Sequence, residues 1–213
     1  NQTIEESLIE ILIVDGGSSD STFDLASQYG CRLIHNTHTE PVHAKYLGLV
    51  EARGKYLAYV DHDEVLLNKD SFQKRISLIE SRVGTFAAIV SGYLSPPESA
   101  EINNYINDFG DPFSYFIYKL PKSNFFFEST LRKKYVVQAE YDGGIWFDFS
   151  SNAPPLIELC AAATLIITQE ARKLIDGQLA MLPHAFYIGL RNSQYVVFSK
   201  NDPVMHYSVE MTT

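Results

Sequence analysis

Up to about residue 95, short apolar runs alternate with stretches of helical periodicity. The runs at 10–15, 31–36, 55–61 and 87–94 read as strands. Between them, 21–29, 43–52 and 70–82 read as helices, the first opened by Asp20 or Ser21 as N-cap. Such alternation predicts a parallel sheet with right-handed crossovers and helices on both faces, an α/β fold. The rhythm breaks after Pro96. A helix near 98–107, an aromatic-rich stretch, and strands at 135–141 and 144–149 follow. A long apolar run covers 156–168. A helix at 169–176, a helical turn region at 178–191, and strands at 194–199 and 203–209 complete the pattern. The predicted organisation is one domain in two halves, 1–95 and 96–213, with a small antiparallel part in the second.

Two of the apolar runs end on carboxylates. The first is Glu10-Ile11-Leu12-Ile13-Val14-Asp15-Gly16-Gly17-Ser18-Ser19-Asp20, the second Tyr56-Leu57-Ala58-Tyr59-Val60-Asp61-His62-Asp63-Glu64. Open α/β sheets bind ligands just outside the carboxyl ends of their strands. Gly16 and Gly17 permit a sharp turn there. Ser18 and the amides that open the next helix suit a phosphate, although a tight, well-capped turn needs the same residues. If Asp61 to Asp63 is extended, both carboxylates lie on one side. They then repel unless a cation sits between them. Mg²⁺ or Mn²⁺ takes one or two carboxylates and leaves its other positions for water and phosphate oxygens.

Composition narrows the setting. The 213 residues suit one domain, and 46% hydrophobic with 20% charged residues allow a packed core. No apolar stretch approaches the ~20 residues of a membrane span. The net charge of −9 argues against a nucleic-acid binder. Charge is unevenly placed: residues 1–31 hold no Lys or Arg, while Lys119, Lys122, Arg132, Lys133 and Lys134 cluster around a lone Glu128. Cys31 and Cys160 lie in apolar runs and read as small buried hydrophobes of a reducing compartment, which points to the cytoplasm.

The two acidic segments, with Ala44-Lys45-Tyr46-Leu47-Gly48 and Ala52-Arg53-Gly54-Lys55-Tyr56 between them, resemble family 2 glycosyltransferases of the GT-A fold in order and spacing over about residues 1–66. That family carries Asp-Asp-Gly-Ser-x-Asp after a strand, then Ala-Arg-Asn-x-Gly, Ala-x-Gly-x-Tyr and Asp-x-Asp-Asp. The resemblance implies a nucleoside diphosphate sugar donor, Mn²⁺ or Mg²⁺, and a glycan or lipid-linked acceptor. It places Asp15 at the base or ribose, beside Gly17 and Ser18 of the same loop. Asp61 falls at the ribose and metal, Asp63 on the metal, and Lys45 near the phosphates. His206 resembles a late His that approaches the metal in some GT-A enzymes; a strand His satisfied by a neighbour fits as well.

This chain departs from the pattern in places. Gly16 replaces the second Asp, Tyr46 an Asn, and Glu64 the final Asp. The family's first strand, with Pro-x-Tyr-Asn, would precede Asn1, so the chain reads as a piece of a larger domain. An inverting transferase needs a base for the acceptor hydroxyl, commonly supplied by a Glu-Asp pair before a late helix. Here Met181-Leu182-Pro183-His184 stands in that region. His184 is the nearest titratable group, and also fits a capping or packing role. Asp148 is a second candidate base, with Glu158 beside it.

The aromatics from Phe109 to Phe127, flanked by the basic cluster, fit either a core beneath the insert or a peripheral contact of 109–134 with the inner face of the membrane. Two alternatives stay open. One is a non-catalytic nucleotide-sugar binding module. The other is a haloacid dehalogenase-like phosphatase, suggested by Asp61-His62-Asp63-Glu64-Val65 alone.

Overall fold

The computed structural model describes residues 2–81, 87–110, 112, 115–116, 119–141, 143–149, 161–175 and 195–207. The first apolar run forms β1 (Leu12–Asp15), which pairs in parallel with β2 (Arg32–His35). Helix α1 (Thr22–Gln28) connects them, and α2 (Pro41–Glu51) leads from β2 to β3 (Tyr56–Ala58). Ser21 occupies the N-cap of α1, yet it is the Asp20 carboxylate that accepts from the Thr22 amide at 3.0 Å. Both residues named as cap candidates therefore take part.

The larger sheet runs in the order β3, β9 (Leu165–Ile167), β5 (Ala87–Val90), β10 (Tyr195–Ser199), β8 (Gly144–Asp148), β7 (Val136–Tyr141). It is more mixed than the alternation predicts. Among the described residues only β5 and β10 pair in parallel within it, because β9 inserts antiparallel between β3 and β5. Among the described residues β1 pairs only with β2 and β3 only with β9. A third sheet joins β4 (Glu64–Leu66), β11 (Val204–His206) and β6 (Tyr93–Leu94). The predicted strand 87–94 is thus two strands, broken at Ser91-Gly92. A Cβ on Gly92 would lie 2.4 Å from the Cα of Asn124, so a larger residue cannot let that loop approach.

Alternation along the central strands builds two cores. Ala88, Val90, Ile145, Phe147, Ile166, Val196 and Phe198 face one side, with Leu49 of α2, Leu131 of α5 (Phe127–Lys134) and Ala171 of α6 (Thr168–Ile175). Ile89, Trp146, Leu165 and Val197 face the other, against Leu78 and Ile79 of α3 (Ser71–Glu80). Helices on both faces satisfy the α/β expectation.

The aromatic stretch divides. Phe127 is buried, whereas Phe116 and Phe125 are 71% and 74% exposed. Phe109, at the end of α4 (Glu101–Phe109), meets the rings of Tyr105, Tyr115 and Phe126. Cys31 is a half-buried free thiol. Cys160, Glu158, His184 and the region 178–191 lie outside the described residues.

Candidate functional site

At the carboxyl end of β1 the chain turns back on its own aspartate. The Gly17 and Ser18 amides donate to Asp15 Oδ2 at 2.7 and 2.8 Å, and the Ser18 hydroxyl donates to Oδ1. These donors, the Ser18 hydroxyl foremost, hold the Asp15 carboxyl below the usual carboxylate range. Gly17 adopts a φ of 111°, a conformation that glycine takes without strain. Gly17 and Ser18 accordingly spend their amides on Asp15, and Asp20 caps Thr22. That departs from the expectation of amides left open to a phosphate.

The next strand end is braced to the first. The Asn36 amide donates to Asp15 O at 2.7 Å, while its buried side chain donates to Glu40 O and accepts from the His38 amide. This fixes the entry into α2. One and a half turns later α2 presents Lys45, whose Nζ lies 3.3 Å from Asp61 Oδ2.

The acidic segment is a turn, not a continued strand. β3 stops at Ala58, and the Glu64 amide donates to Asp61 O at 3.1 Å. The same-side argument for two extended carboxylates therefore fails here. Asp61 turns toward Lys45, and Asp63 toward His206, whose Nε2 is 3.3 Å from Asp63 Oδ2. Antiparallel pairing of β11 with β4 sets His206 opposite Glu64, and the Tyr207 amide donates to Asp63 O at 2.8 Å.

Glu64 holds this turn. It is 7% exposed and accepts from four donors: Tyr93 Oη and the Ala162 amide at 2.7 Å, and the Asp61 and Ala163 amides at 3.2 Å. Ala162 and Ala163 sit at φ 55° and 48°, a paired left-handed turn that aims both amides at one carboxylate. Behind it, the fully buried Arg75 donates to Ala163 O at 2.6 Å and pairs with Asp202 at 2.6 Å. Burial pushes the guanidinium pKa down, and Asp202 opposes that shift. Sequence reasoning noted Glu64 only as a departure, and it missed Tyr93, Arg75, Asp202 and Asn36. Buried polar hubs carry no periodic signal.

Asp148 is not brought to this edge. β8 runs antiparallel to β10, and Asp148 sits opposite Tyr195, at the end of the sheet away from Asp61. It also lies four strands from β3, roughly 19 Å at ~4.8 Å per strand. Its carboxylate accepts from Gln138 Nε2 at 3.0 Å. A cleft of about 610 Å³ beside α3, lined by Gln73, Lys74, Tyr141 and Asn201, includes none of the candidate residues.

The donor set fits a hard divalent cation in part. Among the described residues no three His, Cys, Asp or Glu side chains converge. Asp63 Oδ2 and His206 Nε2 do converge. Two neighbouring ligands of an octahedral ion, each ~2.1 Å from it, lie about 3 Å apart, close to the 3.3 Å found here.

Known proteins resemble the chain in sequence and in fold. A 36% identical stretch of 75 residues matches an uncharacterized glycosyltransferase of Rickettsia felis, over 33% of this chain and 12% of that protein. A second, from Rickettsia conorii, is 33% identical over the same length. The chain thus spans about an eighth of the curated relatives it matches. Crystal structures share the fold: S. aureus TarS 1–349 in complex with UDP gives a TM-score of 0.57 at 13% identity, covering 97% of this chain and 53% of that one. GalNAc-T7 with UDP, GalNAc and Mn²⁺ gives 0.52 at 12% identity, covering 97% and 39%. These neighbours are GT-A glycosyltransferases, as the resemblance implied. The model of glycosyl transferase family 2 matches residues 1–151, and the chain belongs to that family.

Proposed function

We propose that the chain forms the donor-binding core of a glycosyltransferase that moves a sugar from a nucleoside diphosphate sugar to an acceptor hydroxyl, with inversion. The observation that carries this reading is the convergence of Asp63 and His206 on the turn after β3, beside the Asp61–Lys45 pair. Asp15 stands at the end of β1. A uridine nucleotide is the favoured donor, because TarS and GalNAc-T7 are both complexed with UDP.

Asp63 and His206 would hold Mn²⁺ or Mg²⁺, and the ion would neutralise the departing diphosphate. Lys45 Nζ, tethered by Asp61 at 3.3 Å, would add a fixed positive charge beside that site. Asp15 is kept ionised by its own loop and offers an acceptor for ribose or base hydroxyls and N–H groups. Glu64 fixes the backbone of Asp61 and so the aim of the whole turn.

His184 stays the proposed base for the acceptor hydroxyl. Asp148 is withdrawn on position, since the sheet separates it from the acidic turn. The exposed rings of Phe116, Phe125 and Phe126, with Lys119 Nζ 4.5 Å from the Phe116 ring centroid, support peripheral contact with a membrane and a lipid-linked acceptor there. Among the described residues no helix is long and apolar enough to cross a membrane.

The test is sugar release from UDP-sugars in Mn²⁺, with and without acceptor lipids. Turnover that falls at least a hundredfold in Asp63→Asn supports the enzyme. UDP-sugar binding without turnover would leave a binding module. The phosphatase alternative lapses with the family assignment.

A further inference from the structure

We infer that Asn107, on α4, is a positioning residue that fixes the ring tautomer of His206 and so keeps Nε2 available to a cation at Asp63. The inference rests on the metal-site reading above.

The hydrogen bonds around Asn107 determine its orientation. Its Nδ2 lies 3.1 Å from His206 O and 2.9 Å from Ser95 Oγ. A backbone carbonyl can only accept, so the amide nitrogen must be the group that faces it. The amide oxygen is thereby directed at His206 Nδ1, 2.7 Å away. An amide oxygen can only accept, so Nδ1 must carry the proton. A neutral ring then has its lone pair on Nε2, and that atom faces Asp63 Oδ2 at 3.3 Å. Metal-bound histidines use this device: the second ring nitrogen donates to a fixed oxygen, which sets tautomer and ring angle. Asn107 grips both the ring and the carbonyl of the same residue, from a position 2% exposed. The Tyr93 ring packs on His206 at 4.8 Å between centroids and closes one face.

Asn107→Leu and Asn107→Asp separate positioning from packing. Both disturb the contact with His206 O, so both should lower the melting temperature by similar amounts. Only Asp keeps an oxygen for Nδ1–H. Long-range ¹H–¹⁵N spectra of the metal-free protein, followed over a pH series until the ring is neutral, should show Nδ1–H at His206 in the unaltered protein and in Asn107→Asp. They should show the Nε2–H form appearing in Asn107→Leu. Mn²⁺ affinity, read by electron paramagnetic resonance of the free ion, should fall roughly tenfold or more in Asn107→Leu and stay within about threefold in Asn107→Asp. An Nε2–H ring in the unaltered protein overturns the inference. So does equal Mn²⁺ affinity in all three proteins, or equal loss in both variants. If the unaltered protein binds no Mn²⁺, the metal reading itself fails, while the spectra still report whether Asn107 sets the ring.

Discussion

Removing the carboxylate of Glu64 should unfold the acidic turn before it touches any ligand. The side chain accepts four hydrogen bonds in a site that is 7% exposed. In Glu64→Ala all four donors lose their acceptor. The Tyr93 hydroxyl can rotate to another partner; the amides of Asp61, Ala162 and Ala163 cannot. A buried amide left without a partner costs ~1–3 kcal/mol, so three cost about 4–6 kcal/mol once water reaches some of them. Glu64→Gln is milder. With its oxygen where Oε2 stood, Gln keeps Asp61 and Ala163, and Tyr93 rotates to accept from the new NH₂. Only the Ala162 amide is orphaned, so the cost is about 2–3 kcal/mol including the loss of charge assistance. Thermal unfolding reads both, at roughly 2–4 °C per kcal/mol for a chain of this size. The expected order is unaltered protein, then Gln, then Ala, with Ala at least 8 °C below the unaltered protein. A Glu64→Ala protein that melts within 2 °C of the unaltered one would refute the reasoning.

Other outcomes follow from the same contacts. Arg75→Leu leaves the buried Asp202 without its counter-charge, held among the described residues by Asn68 and Ser71, and should cost about 3–5 kcal/mol in denaturant unfolding; a cost below 1 kcal/mol would show that the pair is incidental. Asp15 and Asp20 both titrate below their ordinary 3.8 in the folded chain, so the unfolded chain binds more protons just below that pH. Their contribution is present above pH ~4 and is lost as pH falls through the depressed folded values; Asp15→Asn should flatten the acid limb of a melting-temperature profile, and an unchanged limb counts against it. Replacing the exposed Phe116 and Phe125 with Ser should reduce flotation with anionic liposomes severalfold at unchanged melting temperature, and flotation of neither protein would exclude the membrane contact.

The long, strongly periodic segments were legible because one face of each is buried in register with its period. α3 and α6 appear within a residue or two of where the pattern put them. β3 was read to Asp61 and ends at Ala58, because Glu64 pulls the chain into a turn and that pull comes from residues 98 and 99 positions away. β4 has three residues and owes its existence to β11, far along the chain. α5 hid inside the aromatic stretch, where Phe127 and Leu131 bury an i,i+4 pair amid exposed rings. The antiparallel insertion of β9 is a tertiary choice that no local pattern encodes. At the candidate site, motif order points to Asp15, Asp61 and Asp63, and likeness to a late His of some GT-A enzymes points to His206. The partners that aim them could not: one Asn in a helix, or one Tyr in a strand, looks like any other.

The central claim is that Asp63 and His206 hold the cation that receives a donor's diphosphate. Calorimetric titration of UDP in Mn²⁺ and in EDTA, on the unaltered protein and on Asp63→Asn, tests it directly. The account predicts binding at least tenfold tighter with Mn²⁺, a difference of ~1.4 kcal/mol or more, and loss of that difference in Asp63→Asn. UDP binding that is indifferent to Mn²⁺, or a metal dependence that survives Asp63→Asn, would contradict it.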